Sequence, residues 1–154
     1  MEVTNPEAIL RRAHLLYKGG SYALEKSAYA DAEKMCNESV MIFAGAFGKE
    51  ERCTLASIGN LAVTFMKQDR LDEAEKLEVE VMKAKKKVLG EEHPDTLLSL
   101  GSLATMYVEQ ERWDEAEKLG VEVIEASKRV LGDEHPDTLT YIDNLAATFM
   151  KQER

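Results

Sequence analysis

The eight residues GEEHPDTL at positions 90–97 return as GDEHPDTL at positions 132–139, which places His93 and His135 42 residues apart. Each copy puts a glycine, which can end a helix, shortly before a His-Pro-Asp triplet, which can start one. Proline tolerates the first helical turn because its missing N–H costs nothing there, and aspartate complements the dipole of that turn. The stretch therefore predicts a tight joint between two helices, with the histidine or a neighbour as the N-cap.

The sequence around this joint repeats with the same period. Residues 54–95 and 96–137 are identical at 26 of 42 aligned positions, and residues 138–154 match the start of the repeat at 12 of 17 positions. A period of about 20–50 residues is typical of stacked supersecondary units. We therefore expect one continuous array, divided into a degenerate N-terminal helix pair (1–53), a repeat (54–95), a second repeat (96–137) and the first helix of a further, truncated repeat (138–154).

Apolar residues in each repeat recur at three- and four-residue spacing, which indicates two amphipathic helices per repeat. The predicted stripes of the first helices are Ile58, Leu61, Ala62, Phe65; Leu100, Leu103, Ala104, Tyr107; and Ile142, Leu145, Ala146, Phe149. Those of the second helices are Leu71, Ala74, Leu77, Val81, Val88, Leu89; and Trp113, Ala116, Leu119, Val123, Val130, Leu131.

The N-terminal unit also has helix signals. Asn5 can cap a helix that runs from Pro6 towards Lys26. In its middle, Gly19 and Gly20 either break the helix or permit a close backbone approach. A partner helix is expected from Tyr29 to Ala46, with residues 51–53 in place of the His-Pro-Asp joint.

Composition limits the classes of function. The net charge of −9 and pI near 4.9 disfavour nucleic acid and anionic membranes as partners, since both attract basic faces. No run approaches the roughly 18 apolar residues that cross a bilayer, and the N-terminus lacks a signal peptide's apolar core, so a cytoplasmic location is expected. Cys36 and Cys53 form neither a disulfide framework nor a metal-binding spacing. We expect Cys36 to be buried.

The motifs that carry a family resemblance are Leu103-Ala104-x-x-Tyr107 and the run WDEAE at residues 113–117. They resemble tetratricopeptide repeats, and the 42-residue spacing with the Leu-Gly-x-Glu-His-Pro-Asp-Thr joint resembles the kinesin-light-chain type. The resemblance is strong over residues 54–154 and weaker over residues 28–48. Near-identical tandem copies also resemble the repeat tails of fungal signal-transducing NTPases of the nucleotide-binding sensor class. The implied fold is all-α, a right-handed α-solenoid of antiparallel helix pairs with about seven helices.

Both joints place a histidine beside carboxylates, which could suggest a metal site or a general base. The same cluster recurs one period apart, as structural joints do, so helix capping is the stronger interpretation. The sequence has no phosphate-binding loop, no Gly-x-Ser-x-Gly motif and no Cys/His zinc pattern. We expect neither an enzyme nor a cofactor or metal.

One face of the first helices differs from an ordinary solvated face, because its residues are mostly small and neutral. The resemblance implies that this face lines a concave groove that receives extended peptides, with Asn60 and Asn144 bonding the peptide backbone. Ser102 interrupts that asparagine pattern, and Gly59, Gly101 and Asp143 do not supply the basic clamp of chaperone-tail-binding relatives. Tight curvature of the array is the alternative reason for small residues. The candidate binding residues are Asn60, Val63, Lys67, Ser102, Thr105, Glu109, Asn144, Ala147 and Lys151.

The last helix carries the same apolar stripe as the interior ones, although the sequence ends at Arg154. This suggests a fragment of a longer array, or self-association through the uncapped C-terminal helix. Two functions follow as hypotheses. The first is a protein–protein interaction scaffold that holds a peptide or partner helix in the groove. The second is a structural or regulatory repeat segment of a larger signalling protein, with no peptide ligand of its own.

Overall fold

The computed structural model describes residues 5–153, which form seven α-helices and, within that range, no strand. The fold class is all-α, as predicted. The helices are α1 (Pro6–Glu25), α2 (Tyr29–Phe47), α3 (Arg52–Lys67), α4 (Leu71–Leu89), α5 (Pro94–Glu109), α6 (Trp113–Val130) and α7 (Pro136–Gln152).

The chain divides into two compact units, Met1–Leu77 and Glu78–Arg154, and α4 contains the point of division. In the first unit α1 packs on α2 and both contact α3. In the second unit α5 packs on α6 and both contact α7. The division of the chain into repeats remains an expectation, although the first helices α3, α5 and α7 begin one period apart, two residues before the alignment boundaries.

The joints are built as the sequence indicates. Gly90 and Gly132 have φ of 96° and 95°, a region that favours glycine. His93 and His135 then cap α5 and α7, since the Nδ1 atom of each accepts the backbone N–H two residues later at 3.1 Å. In the first unit Glu51 does the same for α3, because its carboxylate accepts the N–H of Cys53 at 2.7 Å.

The glycine pair in α1 permits a close approach, because the helix runs through it without a break. A Cβ on Gly20 would lie 2.7 Å from the Sγ atom of Cys36, and one on Gly19 would lie 2.9 Å from the Sδ atom of Met35. Cys36 is buried, as predicted. The two glycines therefore let α1 lie against α2.

Buried hydroxyl groups connect the helices of the first unit. Ser39 in α2 donates to the carbonyl of Ala13 in α1 at 3.3 Å, and its Oγ lies 2.9 Å from that of Ser57 in α3. In the second unit Ser127 of α6 and Thr138 of α7 form a similar pair at 2.6 Å. Small polar residues can be buried here because their hydrogen bonds are satisfied.

The predicted apolar stripes of α3 to α6 are buried or half-buried except at the helix ends, whereas Ala146 and Phe149 in the predicted stripe of α7 are exposed. Leu100, Leu103 and Ala116 are at most 2% exposed. The spacing assigns Val88, Leu89 and Val130 to the stripes, but these three residues are exposed instead. In α6 the buried part of the stripe ends at Ser127, and the last turn lies beyond it.

Candidate functional site

The candidate groove residues lie on the solvent side of the first helices, as the helical spacing requires. Of the six in the second unit, Ser102, Thr105 and Glu109 lie on α5, and Asn144, Ala147 and Lys151 lie on α7. All six are exposed. In the first unit, on α3, Val63 and Lys67 are exposed and Asn60 is half-buried. The acidic residues of the second helices also lie in solvent: Glu73, Glu80, Glu115, Glu122 and Glu125.

A shallow concavity of about 100 Å³ lies between α5 and α7 in the second unit. It brings together four of the candidate residues. Ligand pockets for drug-sized molecules are usually 300–1,000 Å³ in volume, so this surface is too shallow for such a ligand and suits an extended chain better. The lining residues are Gly101, Ala104, Thr105 and Val108, with Ala116 beneath them, and Tyr141, Asn144, Leu145, Ala147, Thr148 and Lys151.

Tyr141 forms part of the lining, and the helical spacing did not single it out. A Cβ on Gly101 would lie 2.8 Å from the Cε1 atom of Tyr141, so the glycine makes room for the ring. The ring is 8% exposed, and burial raises the pKa of its hydroxyl. Ser57 and Ser99 occupy the equivalent positions of the earlier repeats. The replacement of serine by tyrosine at this position of the repeat is the signal that could have identified Tyr141 from the sequence.

A second, more open concavity of about 520 Å³ shares Val108 and Lys151 with the first. Its lining adds Glu109, Glu111 and Trp113, so the surface between α5 and α7 becomes charged and aromatic at this end. Ser102 lines neither concavity. The small, neutral section is therefore followed by one that holds two carboxylates and one ammonium group.

The two asparagines of the candidate set have different surroundings. The side-chain amide of Asn60 donates to the hydroxyl of Ser21 in α1 at 2.8 Å, and this bond ties α3 to α1. Asn144 is exposed, and within residues 5–153 its side-chain amide has no hydrogen-bond partner. Thr105, across the concavity, donates to the carbonyl of Gly101 at 3.1 Å. Asn144 is thus the asparagine whose amide is available to a ligand.

The described residues contain no group of three or more His, Cys, Asp or Glu that could hold a metal ion. No helix between residues 5 and 153 is long and apolar enough to cross a membrane. The histidine clusters at the joints serve as caps, since both Nδ1 atoms accept backbone N–H groups.

The tetratricopeptide repeat pattern matches residues 54–126 and 95–154, and these matches together span well over half of the chain. The chain therefore belongs to the tetratricopeptide repeat family. Repeats of this family generally mediate protein–protein interactions. No curated protein is significantly similar to the chain.

Three solved structures are similar to this chain. A Podosopora anserina protein named as a kinesin light chain, with nearly identical TPR-like repeats, is 26% identical in one structure. Its TM-score is 0.79, and the match covers 96% of this chain and 68% of that one. A second structure from Podosopora anserina is 24% identical, with a TM-score of 0.80 over 98% and 70% of the two chains. BtubC (BKLC) from P. vanneervenii shares the fold at 17% identity, with a TM-score of 0.83. The match covers 99% of this chain and 62% of that one.

Proposed function

We propose that the chain is a protein–protein interaction scaffold that binds an extended peptide along the surface between α5 and α7. The observation that carries this proposal is the exposed, small and neutral surface around the concavity of about 100 Å³. A solvated helix face would usually carry long charged side chains, whereas Thr105 and Ala147 are short and leave the surface between the two helices open. A peptide can therefore lie close to the two helices.

The groups on this surface suit a peptide backbone. The amide of Asn144 offers both a donor and an acceptor, and the hydroxyl of Thr105 can accept a further bond. A peptide backbone group that loses its hydrogen bond with water on binding must find such a partner. An unsatisfied buried group costs about 1–3 kcal/mol. Asn144 is therefore the residue that holds the ligand's backbone, while Asn60 holds α3 against α1.

The charge of the second unit indicates the composition of the ligand. Residues 78–154 include 17 Asp and Glu against 10 Lys and Arg. Glu109 and Glu111 stand at the open end of the surface, beside Trp113. A basic side chain of the peptide would be attracted by the two carboxylates and by the indole face. We therefore expect ligands with small residues in the middle and a Lys or Arg at one end.

Selection of a random peptide display library on the full chain tests this proposal. Three proteins are screened in parallel: the wild type, Ala147→Trp on the proposed surface and Ala146→Trp one residue away on another face of α7. We expect a consensus motif that binds the wild type and Ala146→Trp with similar affinity. Its affinity for Ala147→Trp should be at least about tenfold lower, as when a residue central to an interface is changed. Circular dichroism must show equal helicity for the three proteins.

Two results would contradict the proposal. One is the absence of any enriched motif, and the other is a motif that binds Ala147→Trp and Ala146→Trp equally. Either result would favour a structural or regulatory repeat segment without a peptide ligand. Should Ala147→Trp perturb the fold, Asn144→Ala serves as the milder variant, with the same expected loss of binding.

The remaining expectations from the sequence belong to the same proposal. A scaffold of this kind acts without catalysis or a cofactor, and its partners are proteins or peptides rather than nucleic acid or membrane. A cytoplasmic location is part of the proposal, and fractionation of cells that express the protein would check it.

A further inference from the structure

The ring of Tyr141 lines the concavity between α5 and α7, and packing fixes its position. The residue is 8% exposed and shares a core cluster with Val123 and Ala126 of α6. On the opposite helix, α5, a Cβ added to Gly101 would lie 2.8 Å from the Cε1 atom of the ring. The ring therefore reaches the backbone of α5 and forms the floor of the concavity at this point.

These two positions hold one tyrosine and one small residue in each unit. In the first unit the equivalent of Gly101 is Tyr17 on α1, and the equivalent of Tyr141 is Ser57 on α3. The tyrosine comes from the earlier helix in one unit and from the later helix in the other. This exchange indicates that the space between two first helices takes one aromatic ring and leaves little room for a further side chain.

The side of a first helix that faces the concavity is open within the array as well. On α3, which α4 follows, Val63 and Lys67 are exposed. They are the equivalents of Ala147 and Lys151 on α7. A helix that packs on another face of a first helix therefore leaves this side accessible to a ligand.

We propose that Tyr141 determines which peptides the surface between α5 and α7 accepts, because the ligand residue that lies over its ring must be glycine, alanine or serine. This inference rests on the proposed function and assigns the preference for small side chains to one residue. A larger ligand side chain would have to displace a ring that is packed against α6, and such overpacking is unfavourable. Asn144 lies about one turn further along α7, so the restricted residue lies within about two positions of the one whose backbone Asn144 bonds.

Tyr141→Leu tests the proposal, and Tyr141→Phe is its matched control. Leucine occupies the equivalent position of α1, as Leu15, and it is apolar but lacks the ring atom that reaches Gly101. Phenylalanine keeps the ring and removes only a hydroxyl group, which makes no hydrogen bond within residues 5–153. The random peptide library is selected on the wild type and on both variants.

We expect the wild type and Tyr141→Phe to enrich glycine, alanine or serine at one position of the motif, and Tyr141→Leu to accept valine, leucine or methionine there. Fluorescence anisotropy with dye-labelled synthetic peptides measures the same preference as an affinity. A peptide with leucine at that position should bind the wild type at least about tenfold more weakly than its alanine parent, since a filled pocket rejects extra methylenes by about this factor. Tyr141→Leu should remove the difference.

Two results would overturn this inference and leave the proposed function intact. One is the same motif on all three proteins, still dependent on Ala147. The other is equal affinity of the wild type for the alanine and leucine peptides. Failure of the wild type to enrich any motif would reject the proposed function, and this inference with it.

The wild type alone provides a second measurement, should Tyr141→Leu lower the helicity in circular dichroism. A series of peptides with glycine, alanine, valine or leucine at the restricted position is titrated with the unaltered chain. The affinity should fall from alanine to valine and again to leucine, because each side chain needs more of the space that the ring of Tyr141 fills. An affinity that is constant across the series would overturn the inference.

Discussion

The histidines at the joints act as hydrogen-bond acceptors at the starts of α5 and α7. The Nδ1 atom of His93 accepts the N–H of Asp95, and that of His135 accepts the N–H of Asp137, each at 3.1 Å. An N-cap acceptor satisfies one of the donors that the first helical turn leaves unpaired. The position of the cap was predicted from the sequence, whereas the tautomer follows only from the geometry of the bond.

Loss of one such cap should have a measurable cost. We expect His93→Ala to lower the free energy of unfolding by about 1 kcal/mol, the usual value for a lost N-cap. His93→Asn should retain most of the stability, since asparagine is a strong N-cap residue. Urea unfolding followed by circular dichroism measures both variants, and equal losses for Ala and Asn would contradict the assigned role.

Glu78 is a carboxylate in an apolar position. It is 6% exposed, and Gly120 takes its place in the next repeat. Burial raises the pKa of the Glu78 carboxyl above its reference value of 4.5, and the Lys85 ammonium opposes the rise only in part. The folded state therefore binds this proton more tightly than the unfolded state. The resulting contribution to stability is fully present below pH 4.5 and is lost as the pH rises through the folded pKa.

Glu78→Gln should remove this dependence on pH. At neutral pH the variant should be more stable than the wild type, because it has no charge to desolvate. The difference should shrink as the pH falls through the raised folded pKa of Glu78 towards 4.5, because the wild-type carboxyl then becomes neutral as well. Thermal unfolding between pH 4 and pH 8 would measure this difference. A variant less stable than the wild type at neutral pH would show that the ionised carboxylate is stabilised by its surroundings.

Some residue-level features could not be found from spacing alone. Ser27, Asp69 and Glu111 have φ of 59°, 60° and 58°, and they stand one period apart. The sequences of these turns contain no glycine that would have indicated a left-handed backbone. The guanidinium groups of Arg70 and Arg112 lie 4.1 Å from the rings of Phe65 and Tyr107.

At the scale of the helices, the first unit shows how a degenerate repeat keeps its structure. Its joint lacks the His-Pro-Asp triplet, yet Glu51 caps α3 in the same manner. Ser27 has the same left-handed backbone as its equivalents, although the sequences of the turns differ. Backbone geometry is therefore preserved where side-chain identity is lost. For this reason the sequence predicted the seven helices, although several predicted helix ends differ from the observed ones by one or two residues.

The contact between α1 and α2 depends on Gly20, and Gly20→Ala tests it. Alanine is better than glycine in a helix by about 1 kcal/mol, but here its Cβ would meet the buried Cys36. We expect the clash to outweigh the gain in helix propensity, so that the free energy of unfolding falls by roughly 1–3 kcal/mol, as is typical of overpacking. In a Cys36→Ala background the loss should disappear, because the sulfur that causes the clash is absent.

Gly45→Ala is the matched control for this cycle. Gly45 is a helical glycine in α2, and a Cβ added there would meet no neighbouring side chain within 4 Å. Its replacement should stabilise the protein by about 0.5–1 kcal/mol. Chemical denaturation of the variants gives the coupling energy between positions 20 and 36. If Gly20→Ala stabilised the protein as much as Gly45→Ala does, the close approach of the two helices would be refuted.

At the scale of the whole molecule, the 42-residue period predicted most of the fold and about half of the candidate site. It indicated the exposed faces of α5 and α7, since exposure follows from helical spacing. It did not predict the buried ring of Tyr141 against Gly101, because that contact depends on a residue that departs from the repeat. Nor did it distinguish Asn60 from Asn144, since the bond to Ser21 joins α3 to the degenerate unit.

The central claim is that the surface between α5 and α7 receives a peptide. The most direct test is a titration of the isotopically labelled chain with the peptide that the library selection enriches most, followed through its backbone amide resonances. We predict that the largest shifts occur at Thr105, Asn144 and Ala147, and that Ala146 shifts far less. Shifts centred on the acidic residues of α6 (Glu115, Glu122 and Glu125), or on Leu139 and Phe149 of α7, would contradict the claim.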